Sequence, residues 1–128
     1  MGMEQQVKFG AASWPAWADV AALLAKFNFS VQIRMIDGEL AFPDEAPPEA
    51  WRELRIGTSA GMITVRRAAD GVELVTWGNA DAGMQQSWNA LTWAFAQCGN
   101  GKVVTTKGNL SADEYRRNAS MPAELASV

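Results

Sequence analysis

The sequence predicts an α+β fold: a single domain, mainly an antiparallel sheet of five to seven strands, packed by two main helices and a short C-terminal helix. Three observations point there. Residues 79–101 place apolar side chains at helical period over a long stretch. Residues 29–42 and 52–77 alternate apolar and polar positions around short glycine-containing turns, the pattern of antiparallel hairpins. The chain of 128 residues, 48% apolar and 20% charged, is long enough for one core and ordinary in composition for a globular protein. Residues 1–128 are therefore read as one domain, with residues 1–3 and 120–128 as loose ends.

Residues 5–9 alternate, with Val7 and Phe9 on one side, and form a short first strand. Ser13 and Pro15 then open a helix to about Phe27, whose buried face is Trp17, Val20, Ala21, Leu24 and Phe27. In residues 29–42 the preferred two-residue turn Asp37-Gly38 closes a hairpin. Its simplest register sets Met35 opposite Leu40 and Ile33 opposite Phe42, apolar against apolar, and leaves Ile36 on the other face. Residues 43–50, PDEAPPEA, are a connector, because Pro47-Pro48 fits neither helix nor central strand. Its Asp44, Glu45 and Glu49 form an exposed acidic lip, either a solvated connector or a surface for a basic partner.

Residues 52–58, 62–68 and 72–77 make an antiparallel meander. Leu54 opposite Val65, and Val65 opposite Leu74, gathers Ile56, Ile63 and Val72 on one inner face. The outer face then sets Arg66 between Glu53 and Glu73, a ladder of opposite charges that contributes roughly 0.2–1 kcal/mol per pair. The same register brings Met62 beside Trp77, near the start of the long helix.

In that helix Met84, Trp88, Leu91, Phe95 and Cys98 share one face. Asn79 or Asp81 caps its start and Gly99 stands where the chain turns out of it. No charged residue lies between Asp81 and Lys102, and the opposite face carries Gln85, Gln86, Asn89, Trp93 and Gln97. Solvent faces are normally rich in Lys and Glu, so a charge-free face of amides around a tryptophan is expected to meet something other than water. Residues 102–106 are a last strand. Ser111 and Glu114 form a capping box that opens a short helix ending at Met121-Pro122.

The chain has no histidine, which removes Ser-His-Asp and Cys-His nucleophile pairs, histidine-ligated zinc and the usual general base. Cys98, the single cysteine, falls on the apolar stripe at a helix C-terminus, where packing is the expected role. One cysteine allows no internal disulfide, and the opening MGMEQQ is not a secretory leader, so a reducing cytoplasm is expected. A net charge of -3 without clustered Lys and Arg argues against nucleic acid as partner. The uncharged run after Asp81 carries too many amides to cross a membrane. No spacing of metal ligands and no phosphate loop is present, so no cofactor is expected.

What remains is a non-enzymatic binding or interaction protein acting by contact, with self-association into a homodimer as the expected partnership. Its surface is placed on Trp93, Gln86, Asn89 and Gln97, with Trp77, Met62 and Trp51 as further aromatic and apolar positions off the inner faces. The acidic lip of Asp44, Glu45 and Glu49 would take a basic protein partner. The alternative is a pocket between the long helix and the sheet for a small apolar or aromatic ligand, or a carboxylate-based enzyme drawing on Asp37, Glu39, Glu53 and Glu73.

Overall fold

The structure, a computed structural model, describes residues 2–10, 14–77, 81–106 and 108–126. In chain order the described residues form β1 (Gly2–Lys8), α1 (Trp17–Lys26), β2 (Gln32–Ile36), β3 (Glu39–Leu40), β4 (Glu53–Gly57), β5 (Met62–Arg67) and β6 (Gly71–Trp77). Then follow α2 (Ala82–Gly99), β7 (Lys102–Thr105), β8 (Gly108–Ser111), α3 (Ala112–Asn118) and α4 (Ala123–Ala126). The fold is α+β, with one antiparallel sheet in the order β3-β2-β4-β5-β6-β1-β7-β8.

The meander has the register that its side chains dictate. Leu54 faces Val65 and Val65 faces Leu74, while Glu53, Arg66 and Glu73 line up across the outer face. Arg66 Nε stands 3.9 Å from Glu53 Oε2. Inner-face Leu54, Ile56, Ile63, Val65, Val72 and Leu74 are all buried. The first strand enters the middle of the sheet, between β6 and β7. Gly71 permits this: a Cβ there would collide with the Val7 carbonyl. Against β7, β1 pairs only through Gln6, Val7 and Lys8, whereas against β6 it pairs along its whole length.

Over the inner face α2 is pinned by Trp88, whose Nε1 donates to the Leu74 carbonyl at 2.9 Å. Asp81 caps α2, its side chain accepting from the Met84 N–H at 2.8 Å. The left-handed residue at the other end is Asn100, one position beyond the expected Gly99. α1 lies alongside, with the Trp17 and Phe95 ring centroids 6.1 Å apart. The space between α2 and the sheet is filled by buried side chains such as Val7, Val72, Leu74, Leu91, Phe95 and Val103.

Four expectations are corrected. Among the described residues the sheet has eight strands: β8 is unexpected, because Gly108, Asn109, Leu110 and Ser111 offer a single apolar side chain to mark a strand. Pairing Val103 with Leu110 supplies what propensity lacks. β1 begins at Gly2, inside the segment expected to be loose. Of the expected loose tail, residues 121–125 are packed, since Met121 and Leu125 are buried and α4 runs to Ala126; residues 127 and 128 lie outside the described residues. Finally, the β2–β3 hairpin pairs Met35 with Leu40 as expected, but a bulge between Ile33 and Met35 shifts β2 against β4. One extra residue reverses the faces that follow it. Ile36 therefore joins Ile33 in the core, and Phe42 is left in solvent rather than opposite Ile33.

Candidate functional site

The amide and aromatic face of α2 is interior. Residues 87–96 are buried without exception, with Trp93 only 3% and Asn89 5% exposed. The sheet and α1 cover two sides; α3 and the segment behind it cover the third. Phe27, at the end of α1, meets the Trp93 ring edge-on at 5.7 Å between centroids and 83° between planes. The Arg116 guanidinium of α3 sits 4.9 Å from the Trp93 ring centroid and 4.8 Å from that of Phe27. Its Nε and Nη2 both donate to the Leu125 carbonyl, at 3.1 and 2.8 Å, which fastens the C-terminal segment over the helix. A helix without charges has no side obliged to meet water, and one that is buried all round is the consequence.

Asn89 is the centre of a buried hydrogen-bond network on that face. Asn89 Nδ2 donates to the Ser120 carbonyl at 2.8 Å, and Gln5 Nε2 donates to Asn89 Oδ1 at 2.8 Å. The Tyr115 hydroxyl has one proton for two acceptors, Gln5 Oε1 and, at 3.0 Å, Asn89 Oδ1. Burial pushes the Tyr115 phenol well above its ordinary range, against the opposing hydrogen bonds from Gln5 and Thr92. The phenol stays protonated and serves the network as a hydrogen-bond donor. The network ties β1, α2, α3 and the segment after it together. Gln86 reaches Ser120 Oγ at 3.5 Å and Gln97 remains in solvent.

The other residues singled out by sequence do not join Trp93. Trp51 is buried, contrary to expectation, against the Arg67 guanidinium, 4.6 Å from its ring centroid; Trp14 lies 5.0 Å away from the same cation. Arg67 Nη2 donates to the Glu49 carbonyl at 2.6 Å, so this stack also anchors the end of the proline loop. Met62 is exposed on the outer sheet face, and the Trp77 side chain lies outside what is described. Burial, and then the Asp19 carboxylate, push the Cys98 thiol up, away from a nucleophilic thiolate. Of the carboxylates considered for catalysis, Asp37 accepts the Arg52 and Glu53 N–H groups at 2.7 and 2.9 Å, and Glu53 pairs with Arg66.

The exposed apolar surface stands at the far edge of the sheet. Leu40 is 88% and Phe42 75% exposed. Asp37 and Gly38, both at positive φ, form the tight turn before them. Phe42 and Glu45 hold each other: the Phe42 N–H donates to Glu45 Oε1 at 3.2 Å and the Glu45 N–H to the Phe42 carbonyl at 3.0 Å. Asp44, Glu45 and Glu49 are exposed along the loop that follows. Residues 35–51 contain five carboxylates and no cation. Two donated backbone hydrogen bonds hold the Asp37 carboxyl below its usual range, and Glu45 accepts the Phe42 N–H. The acidic lip was legible in the sequence. The two apolar side chains were not, because the bulge that exposes Phe42 leaves no mark in the alternation.

Among the described residues no group of three or more His, Cys, Asp or Glu side chains is placed to hold a metal, and no helix is long and apolar enough to cross a membrane. No protein-family model, curated protein or solved structure matches the chain.

Proposed function

We propose that the chain is a non-enzymatic binding protein acting by stoichiometric contact, and that its contact surface is the β3 edge: Leu40 and Phe42 flanked by Glu39, Asp44, Glu45 and Glu49. The partner is a protein with an apolar pocket in a basic surround. The observation that carries this reading is Phe42, a large aromatic side chain held in water by its reciprocal turn with Glu45. Burying side chains of this size on a partner is worth about 1.5–3 kcal/mol each. The carboxylates contribute mainly to encounter rate and choice of partner. Two copies facing each other through this patch would oppose like charges, so a heterologous basic partner fits better than a second copy.

The test uses two variants, Leu40→Ser with Phe42→Ser, and Asp44→Asn with Glu45→Gln and Glu49→Gln. A partner cross-linked to the wild-type chain in cells is purified, and its association and dissociation rates are measured against both. The apolar variant should dissociate faster. The neutralised variant should associate more slowly, with a flatter dependence on salt. A partner that binds both variants as it binds the wild type removes the surface. Light scattering should give the mass of one chain, and a concentration-dependent dimer that both variants preserve would place self-association elsewhere.

A further inference from the structure

Where β7 ends and the chain turns toward β8, residues of β1, α2, β7 and α3 bound a cleft of about 770 Å³. It stands at the opposite side of the sheet from the β3 hairpin. Its size falls within the roughly 300–1,000 Å³ of small-molecule sites. The side chains that line it are mostly neutral hydrogen-bonding groups: the amides of Gln5, Gln6 and Gln85 and the hydroxyls of Thr106 and Tyr115. Among the described residues that line it, exposed Glu4 alone carries a charge. Asn89 and Tyr115 fix the Gln5 amide, which donates one N–H to Asn89 Oδ1 and accepts the Tyr115 hydroxyl. One N–H and one oxygen lone pair of that amide are left over. The side chains of Gln6, Gln85 and Thr106 make no hydrogen bond among the described residues.

We infer that this cleft binds a neutral, hydroxyl-rich small molecule of the class of the sugars. An amide head both donates and accepts, and so does each hydroxyl of a sugar, so the two sets of groups can satisfy one another throughout. A charged ligand would give up water without meeting an opposite charge among the described lining residues, apart from the exposed Glu4. A planar aromatic ligand lacks a stacking surface, because the lining ring of Tyr115 is only 7% exposed. A purely apolar ligand would leave the Gln5 and Gln6 amides without water or a partner. The Gln5–Asn89–Tyr115 network holds one wall of the cleft in place before any ligand arrives, which lowers the ordering cost of binding.

The test titrates the intact, isotope-labelled chain with glucose, galactose, mannose, maltose and cellobiose and follows it by nuclear magnetic resonance. At least one of these sugars should bind one to one. It should shift the side-chain amide signals of Gln5, Gln6 and Gln85 together with the backbone signals of residues 103–106. Gln85→Ala and Thr106→Val, both at exposed positions, should each weaken that sugar about threefold to tenfold, the range for one neutral hydrogen bond. Neither should move the melting temperature. The corresponding uronic acid and amino sugar should bind more weakly than the neutral sugar, and Leu40→Ser with Phe42→Ser should leave binding unchanged. No shift with any sugar of the panel, shifts scattered away from the cleft, indifference to both cleft variants, or tighter binding of a charged counterpart would each overturn the inference.

Discussion

The long helix and the β2–β3 hairpin exchange the roles that their sequences suggest. The helix face around Trp93 has no charge to hold water, and it is the most enclosed part of the molecule. The hairpin alternates as a half-buried strand pair should, yet its last two large side chains stand in solvent. The difference teaches that freedom from charge is a statement about burial before it is a statement about contact. Asn89 on that face belongs to a network with Gln5, Tyr115 and Ser120. At the hairpin a one-residue bulge turns Ile36 inward. The strand then ends at Leu40, before Phe42 can find a partner strand.

This contrast can be broken by mutation. Trp93→Ala should cost about 3–5 kcal/mol of folding stability, because Phe27 and Arg116 stack on the ring and would be left facing a cavity. Asn89→Ala should cost roughly 1–3 kcal/mol, measured by chemical denaturation, since it strands the Gln5 amide nitrogen and the Ser120 carbonyl. Tyr115→Phe removes the phenol proton from two amide oxygens and should cost about 1 kcal/mol with no change in fold by circular dichroism. Leu40→Ser should change stability by less than about 0.5 kcal/mol, since the side chain buries almost nothing. The smallest effect belongs to Asp37. Its folded carboxyl lies below its unfolded value of about 3.9, so its stabilisation is present above that pH and is lost as pH falls through the folded value. In an acid titration of the melting temperature, Asp37→Asn should flatten this part of the curve.

The meander was readable residue by residue, because each apolar side chain in residues 52–77 has one face on which it can be buried, and the charge ladder fixes the same register independently. The capping box at Ser111 and Glu114 and the Asp81 cap were readable for a similar reason: each satisfies local backbone donors within a few residues. The buried state of Trp93 and Trp51 was not, since both depend on distant cations. Arg116 and Arg67 cover them, and nothing in the spacing of an arginine tells which ring it will lie on. The acidic lip of Asp44, Glu45 and Glu49 was visible as composition, whereas the apolar pair beside it depends on the bulge.

The most direct measurement is a urea unfolding comparison of Trp93→Ala with Phe42→Ala. Both truncate an aromatic side chain, one 3% and the other 75% exposed. The account predicts a loss of about 3–5 kcal/mol for Trp93→Ala and less than about 0.5 kcal/mol for Phe42→Ala. Equal losses, or a larger loss at Phe42, would contradict it.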